Sequence, residues 1–317
     1  MSVGEFDLIV RIRARCATRP DVVLGIGDDA ALLQPPNGTQ LAVAMDTLNA
    51  GVHFPHGTSP ADIGWKALAV NLSDLAAMGA QPAWCTLSLS LPQADAAWID
   101  AFLDGFLELA NAHGVALVGG DTTRGPLSVC VTAHGFVEAG AALRRSGAGI
   151  GDDVWTSGAL GDAAGALAQI EAESVVDPAL RSRLDRPVPR IALGRALRGI
   201  ATACIDVSDG LFADLGHVCA ASGVGAEVEV AALPASPALR NAFDIETRRA
   251  LQAAGGDDYE LCFTAPEAMR SGVEHAAGES GIEVARIGRI VAEAGVAAQG
   301  ENGKPWTPAR RGYAHFA

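Results

Sequence analysis

The chain has 317 residues, of which 49% are hydrophobic and 19% are charged, a composition typical of a globular protein rather than a disordered one. The 37 acidic residues against 23 basic ones give a formal charge of −14, which disfavours nonspecific binding to nucleic acids or anionic membranes. There is no apolar run long enough for a membrane span, no secretory signal, and no C-x-x-C pair among the six cysteines. A reduced, cytoplasmic protein is therefore expected.

The first half of the chain predicts alternating helices and strands. An amphipathic helix is expected over residues 4–15, followed by strands at 22–26 and 41–46. Ser59 and Pro60 begin a helix that runs to about Met78, because serine is a favoured N-cap and proline suits the first turn. The elements expected next are a strand at 83–91, a helix at 94–112, and strands at 115–118 and 127–137.

A glycine- and alanine-rich stretch at 138–153 is the best candidate for a domain boundary. Two domains are therefore expected, residues 1–140 and 150–317, with an α+β fold of mixed α/β layers. In the second domain, strands are expected at 153–157, 203–207, 226–230, 260–264 and from 283, and helices near 162–173, 189–199, 209–221, 247–254 and from Pro266.

Short acidic stretches recur at the ends of predicted strands, often beside glycines that let a ligand approach the backbone closely. Each one alone is explained as well by a turn or N-cap aspartate, but their number favours a shared acidic site. Carboxylate oxygens without His or Cys companions suit a hard cation such as Mg²⁺. The stretches are GDD (27–29), MDT (45–47), NLSD (71–74), GGDTTRG (119–125), IDVSDG (205–210) and GGDDYE (255–260).

Two of these stretches can be interpreted residue by residue. Asn71 and Asp74 are three residues apart on a predicted helix, so both face the same way. Asp74 lies near the helix C-terminus, where the macrodipole disfavours a carboxylate, and a cation is expected to compensate. Ser208 and Asp209 stand where a helix begins and are expected to cap it, which leaves Asp206 as the residue for another role.

The segment LGIGDDAALL (24–33) also fits a loose dinucleotide-binding fingerprint through Gly25, Gly27 and Ala30. That fingerprint requires a helix directly after the glycines, whereas only a few residues precede Pro35. An acidic pair would also repel a pyrophosphate. We therefore interpret this match as accidental. The sequence has no P-loop, protein-kinase signature, nucleophile elbow or zinc spacing.

Six long stretches together carry a family resemblance: LGIGDDAALL, DTLNAGVHF, KALAVNLSDLAAMGAQPAW, GGDTTRGPLS, IDVSDGL and GGDDYELCFT. With them the chain closely resembles thiamine-monophosphate kinase, a family in the same structural group as aminoimidazole-ribonucleotide synthetase and selenophosphate synthetase. The resemblance extends from GEFDLI at residue 4 to GYAHF at 312–316.

The resemblance implies ATP-dependent phosphorylation of thiamine monophosphate to thiamine diphosphate with several Mg²⁺ ions, the last step of thiamine diphosphate biosynthesis. It implies a homodimer in which sheets of the N-terminal domains pair into a barrel, with ATP bound in the groove between domains. It also implies residue roles: metal ligation by Asp29, Asp46, Asp74, Asp121, Asp206 and Asp209; ATP binding by Gly120, Asp121, Arg145 and Ser208; and substrate binding by His53, Asp257 and Tyr313.

Two departures from the family pattern matter. Ala44 and Met45 replace the usual hydroxyl residue before the DT aspartate, so only a backbone carbonyl could serve a metal there. The family commonly has GGEDYE, and Asp257 is one methylene shorter than that glutamate. By itself His53 would be interpreted as a packed surface residue, and Arg145 equally as a solvated hinge residue or a phosphate ligand.

The expected mechanism is direct in-line transfer of the γ-phosphoryl group without a general base, because a phosphate monoester is mostly dianionic near neutral pH. Of the LGIGDDAALL pair, Asp29 is expected to bind metal and Asp28 to serve the turn. Three alternatives stay open: a related ATP-dependent synthetase acting on another acceptor, a non-catalytic Mg-nucleotide sensor, and a dinucleotide oxidoreductase.

Overall fold

The computed structural model describes residues 5–300 and 303–314. The first residue of the predicted helix over 4–15 and residues 315–316 of GYAHF lie outside this range. The chain divides into two units. The first unit contains residues up to Leu75 together with Ala80–Gly140, and the second contains Ala76–Gly79 and the chain from Ala141 onward.

The first unit is built on a sheet with strand order β3-β6-β4-β5, beside a small β1-β2 hairpin. Its strands are β1 (Val22–Leu24), β2 (Leu32–Leu33), β3 (Thr39–Asn49), β4 (Gln81–Leu91), β5 (Ala116–Arg124) and β6 (Ser128–Glu138). The strands β3 and β4 both run antiparallel to β6, and β5 runs parallel to β4. The hairpin packs through Val22, Ala31 and Leu33 on a buried cluster that contains Trp84 and Phe136.

The helices of the first unit are α1 (Glu5–Arg15), α2 (Pro60–Ala77) and α3 (Ala96–Ala112). The Ser59 hydroxyl accepts a bond from the Asp62 amide at 3.2 Å, which confirms the predicted cap of α2. The helices α2 and α3 approach closely at glycines: a Cβ on Gly64 or Gly105 would collide with a backbone carbonyl of the other helix.

The second unit contains a larger, mostly antiparallel sheet in the order β13-β12-β9-β11-β7-β10-β8. Its strands are β7 (Asp153–Ser157), β8 (Ala203–Asp206), β9 (Gly225–Glu229), β10 (Leu261–Ala265), β11 (Val284–Val291), β12 (Gly295–Gln299) and β13 (Pro305–Trp306). Its helices are α4 (Asp162–Glu171), α5 (Pro178–Asp185), α6 (Ile191–Ala196), α7 (Leu211–Ser222), α8 (Pro237–Ala242), α9 (Ile245–Ala254) and α10 (Arg270–Ser280). The main core joins strands β7 to β12 to the apolar face of α7, including Leu211 and Leu215.

Several element predictions differ from the structure. The helix expected at 189–199 is shorter, and a 3₁₀ turn (Glu267–Met269) precedes α10. The GGDTTRG stretch lies largely within β5 rather than after a strand. The capping prediction at 208–209 is wrong, because Gly210 occupies the N-cap of α7 and supplies no side-chain cap. Among the described residues, no helix is both long and apolar enough to cross a membrane.

Candidate functional site

The acidic pair Asp28-Asp29 lies in the exposed loop between β1 and β2. The Asp28 carboxylate accepts a hydrogen bond from the Asp29 amide at 2.9 Å. This bond joins neighbouring residues within the loop, and the turn role of Asp28 stays a prediction. The Asp29 carboxylate is exposed, so it avoids the cost of burying an isolated charge.

A pocket of about 440 Å³ lies beside this loop, and both α1 and β5 contribute to its wall. Ile26 from the acidic loop and Gly120 and Asp121 from β5 line it. At Gly120, where φ is +150°, a Cβ would collide with the backbone of Leu87 on the neighbouring strand, so only glycine fits. The predicted nucleotide residues Gly120 and Asp121 therefore border an open space.

Asp46 on β3 and Asp74 on α2 form a carboxyl pair. Burial raises the pKa of Asp46, and a hydrogen bond with the Asp74 side chain opposes that shift. Asn71, one turn before Asp74, accepts a bond from the Asp46 amide at 3.1 Å and so fixes this part of β3 against α2. Two carboxylates this close repel each other unless a proton or a cation lies between them.

The same structure separates Asp46 from Asp121. The strands β3 and β5 are the two edges of their sheet, which places them about 14 Å apart at the usual strand spacing of about 4.8 Å. Within the first unit, the structure thus pairs Asp46 with Asp74 and places Asp121 near the acidic loop at the opposite edge.

His53 lies in the turn after β3 and is held by backbone and side-chain contacts. Its Nδ1 accepts a bond from the Asn49 amide at 3.0 Å, so the proton of the neutral ring is on Nε2. The ammonium group of Lys66, which is only 1% exposed, donates to the His53 carbonyl at 2.9 Å. Sequence reasoning missed Lys66, although a lysine inside an apolar helix is an unusual signal.

In the second unit, the loop after β8 is organised by a residue that sequence reasoning also missed. One carboxylate oxygen of Asp214, on α7, accepts bonds from the amides of Ser208, Asp209 and Gly210 at 3.0–3.1 Å. Burial, and after it the charges of Asp206 and Asp209, raise the pKa of Asp214 to about 7. Its signal in the sequence is an aspartate on the buried face of a predicted apolar helix.

The GGDDYE stretch packs on that loop. The Asp257 amide donates to the Ser208 carbonyl and the Tyr259 amide to the Val207 carbonyl, both at 2.8 Å. The Tyr313 amide donates to the Asp209 carbonyl at 2.9 Å. These backbone bonds place Asp257 and Tyr313 next to Ser208 and Asp209.

Arg145 lies in the exposed stretch before β7, and its carbonyl accepts a weak bond from Ser222 at 3.3 Å. Within residues 5–300 and 303–314, its guanidinium makes no hydrogen bond or ion pair, which leaves it available to an anion. In the same part of the chain, no group of three or more His, Cys, Asp or Glu side chains converges on a metal position. Asp46 and Asp74 form a pair, and Mg²⁺ commonly takes few protein ligands and completes its shell with waters and phosphates.

Two domain models of AIR synthase related proteins match the chain. The N-terminal domain model covers residues 27–137, and the C-terminal one covers residues 149–301. Together they cover most of the chain, so this is a protein of the AIR-synthase-related class.

Individual proteins similar to this chain indicate a particular family within that class. A thiamine-monophosphate kinase of Salmonella typhimurium is 48% identical over 324 residues, which span 100% of this chain and 99% of the relative. A crystal structure of thiamine-monophosphate kinase from Stenotrophomonas maltophilia has 55% identity and a TM-score of 0.88, covering 96% of this chain and 99% of that one. The structure of AaThiL complexed with AMPPCP and TMP has 32% identity and a TM-score of 0.77, covering 99% and 97%.

The chain therefore belongs to the thiamine-monophosphate kinase family, and it is a kinase. This confirms the family resemblance. The segment after Gly25 and Gly27 is a loop followed by β2 rather than a helix, which removes the structural basis of the dinucleotide fingerprint.

Proposed function

We propose that this kinase transfers the γ-phosphoryl group of ATP to the phosphate of thiamine monophosphate in the cytoplasm. The product is thiamine diphosphate, and the reaction is the last step of its biosynthesis. The observation that carries the proposal is the likeness, over nearly the whole of both chains, to a structure complexed with AMPPCP and TMP. A nucleotide analogue and the second ligand occupy that relative together, as the two substrates of a direct transfer would.

The aspartates of this chain suit Mg²⁺. The donor set is entirely carboxylate oxygen, and the pairing of Asp46 with Asp74 is the arrangement that a cation between them would favour. The proposed ligands are Asp29, Asp46, Asp74, Asp121, Asp206 and Asp209. Bound Mg²⁺ would neutralise phosphate charge and so let two polyanions approach each other.

The residues of the chain position the substrates, and none is needed as a base. An oxygen of the acceptor phosphate attacks the γ-phosphorus while the bond to the β,γ-bridging oxygen breaks, leaving ADP. Because the acceptor oxygen is already anionic near neutral pH, it carries no proton to remove. We propose that the transfer is in line and forms no phospho-enzyme, which inversion of configuration at a chiral γ-phosphorus would support and retention would contradict.

The proposed substrate contacts come from the family resemblance and lie on both units. On the first unit, Gly120 and Asp121 border the pocket beside the acidic loop and are proposed to contact ATP. Arg145 and Ser208 would contact ATP from the second unit. The proposed thiamine monophosphate contacts are His53, Asp257 and Tyr313.

The predicted N-terminal domain, residues 1–140, is also proposed to form a homodimer. The predicted C-terminal domain, residues 150–317, is proposed to complete the nucleotide and substrate sites. The edge strand β3 exposes a row of apolar side chains: Leu41 is 47%, Val43 57% and Met45 64% exposed. A long, apolar edge strand is a strong template for pairing with another strand. Pairing of two such sheets would close the proposed barrel.

The test is an ATP and Mg²⁺ assay in which thiamine, thiamine monophosphate and aminoimidazole precursors are offered separately. Of these three kinds of acceptor, we expect only thiamine monophosphate to be phosphorylated. ATP binding without turnover would favour a nucleotide sensor, and turnover of another acceptor would favour a related synthetase.

Asp29→Asn should lower turnover at least about 100-fold while the melting temperature stays unchanged, because a neutral amide is a poor Mg²⁺ ligand. Asp28→Asn is the matched control. An asparagine oxygen can still accept the Asp29 amide bond, so activity should stay within about threefold of the unsubstituted enzyme. Equal losses in the two variants would contradict the division of roles within the pair.

A further inference from the structure

The GGDDYE loop has an unusual backbone. Asp257 has φ of +67° and Tyr259 has φ of +50°, a region that residues other than glycine rarely occupy, and bulky residues least of all. Such conformations persist only where surrounding contacts hold them, and they cluster at functional sites. Here the amides of both residues are bonded to the carbonyls of Ser208 and Val207.

The consequence of this backbone is a contact between two side chains that are two residues apart. The Tyr259 hydroxyl donates to Oδ1 of Asp257 at 2.9 Å. The intervening Asp258 does not share the contact, because both its oxygens accept from the Gly161 amide at 2.9 Å. In this loop the Asp258 carboxylate therefore binds the buried Gly161 amide, and the Asp257 carboxylate binds the Tyr259 hydroxyl.

A hydroxyl bonded to a carboxylate is among the stronger hydrogen bonds in proteins and fixes the direction of the carboxylate. That matters for Asp257, because an aspartate reaches less far than a glutamate and has fewer rotamers through which to correct a misplacement. Thiamine carries a permanent positive charge on its thiazolium ring, which suits a fixed carboxylate.

We propose that Tyr259 is a positioning residue for thiamine monophosphate. Its hydroxyl fixes the Asp257 carboxylate in the direction from which that carboxylate binds the cationic part of the substrate. The proposal rests on the proposed function and adds to it the residue that sets acceptor affinity. ATP binding should not depend on this contact.

The test compares Tyr259→Phe with the unsubstituted full-length enzyme. Phenylalanine keeps the ring and the same backbone constraint, so only the hydroxyl is lost. The KM for thiamine monophosphate should rise about tenfold, the effect of losing a hydrogen bond to a charged group, and the KM for ATP should stay within about twofold. Calorimetric titration with thiamine monophosphate, without turnover, should give the same loss of affinity.

Two further variants separate positioning from general damage. Asp257→Gly removes the carboxylate without opposing the positive φ, and adding Tyr259→Phe to it should cause no further loss if the two residues act through one contact. Ser174→Ala deletes an exposed hydroxyl bond elsewhere in the second unit and should change neither KM.

The proposal is overturned if Tyr259→Phe binds thiamine monophosphate as well as the unsubstituted enzyme does, or if both KM values rise together. It is also overturned if the losses from Tyr259→Phe and Asp257→Gly are additive. Absence of turnover in the unsubstituted enzyme would instead refute the proposed function, and calorimetry would still decide the role of Tyr259.

Discussion

The residue after Tyr259 offers a sharp test of what holds this loop in place. Glu260 is fully buried, and its carboxylate accepts bonds from Arg183 and Ser157 at 2.6 Å and from two nitrogens of Arg190. Its carbonyl accepts the Val207 amide at 2.7 Å. The same residue therefore anchors both the GGDDYE stretch and the loop after β8.

Arg190→Met should strongly destabilise the protein, because it removes the arginine that binds the buried Glu260 carboxylate through two nitrogens. Breaking a buried pair costs about 3–5 kcal/mol, and the lower end is expected here because Arg183 and Ser157 remain. That loss lowers the melting temperature by roughly 6–12 °C in a domain of this size. Circular dichroism on heating, with urea titration at a constant m-value, measures it.

Arg289→Met is the control. It deletes an arginine that is 65% exposed and paired with Glu227, and such surface pairs contribute at most about 1 kcal/mol. Adding Glu260→Gln to Arg190→Met should restore part of the loss, because the uncompensated buried charge disappears. If Arg190→Met costs no more than Arg289→Met, the buried carboxylate is not the anchor.

Two more predictions follow from other parts of the structure. Val43→Lys places a charge on the exposed face of the edge strand β3 and should convert a dimer to monomers in sedimentation velocity without loss of secondary structure; an unchanged dimer would exclude this edge as the interface. Hydrogen bonds from Arg270 and, to a smaller extent, Arg286 lower the pKa of Asp153, although burial of the carboxylate acts to raise it. The stabilisation is therefore present at neutral pH and is lost as the pH falls below the usual aspartate value of about 4. Asp153→Asn should lower the urea midpoint at pH 7, and the difference should shrink progressively as the pH is lowered below about 4; a pH-independent difference would refute the role of the charge.

Long, strongly patterned elements could be predicted from the sequence, and short ones could not. The helix α2 is predicted from its Ser-Pro start and extended apolar face. The helices α5 and α8 also begin with a capping residue followed by proline, Asp177-Pro178 and Ser236-Pro237. The side chains of Asp177 and Ser236 accept bonds from backbone amides in the first turns of these helices. At 8 and 6 residues these helices have too little periodicity to stand out.

Part of the candidate site could likewise be predicted from the sequence, and part could not. Aspartates in recognisable stretches can be named from the sequence, but the contacts that orient them depend on tertiary packing. Nothing local indicates that Asp46 contacts Asp74, 28 residues further along the chain. Nothing local indicates either that Asp214 binds the amides of Ser208 and Asp209, the two residues that were expected to cap the helix. Gly210, with φ of +119°, turns the chain so that α7 begins without a side-chain cap.

The three amides held by Asp214 have an electrostatic consequence. Helix N-termini preceded by glycine commonly use such amides to bind phosphate directly. At the start of α7 those donors are already occupied by a carboxylate of the chain itself. These amides are therefore not available to an anion, and the carbonyls of Val207, Ser208 and Asp209 already accept backbone amides. An anionic ligand that approaches this loop meets carboxylates, which are groups of its own sign. This is the reverse of a P-loop, in which the protein supplies the positive end and the nucleotide the negative one.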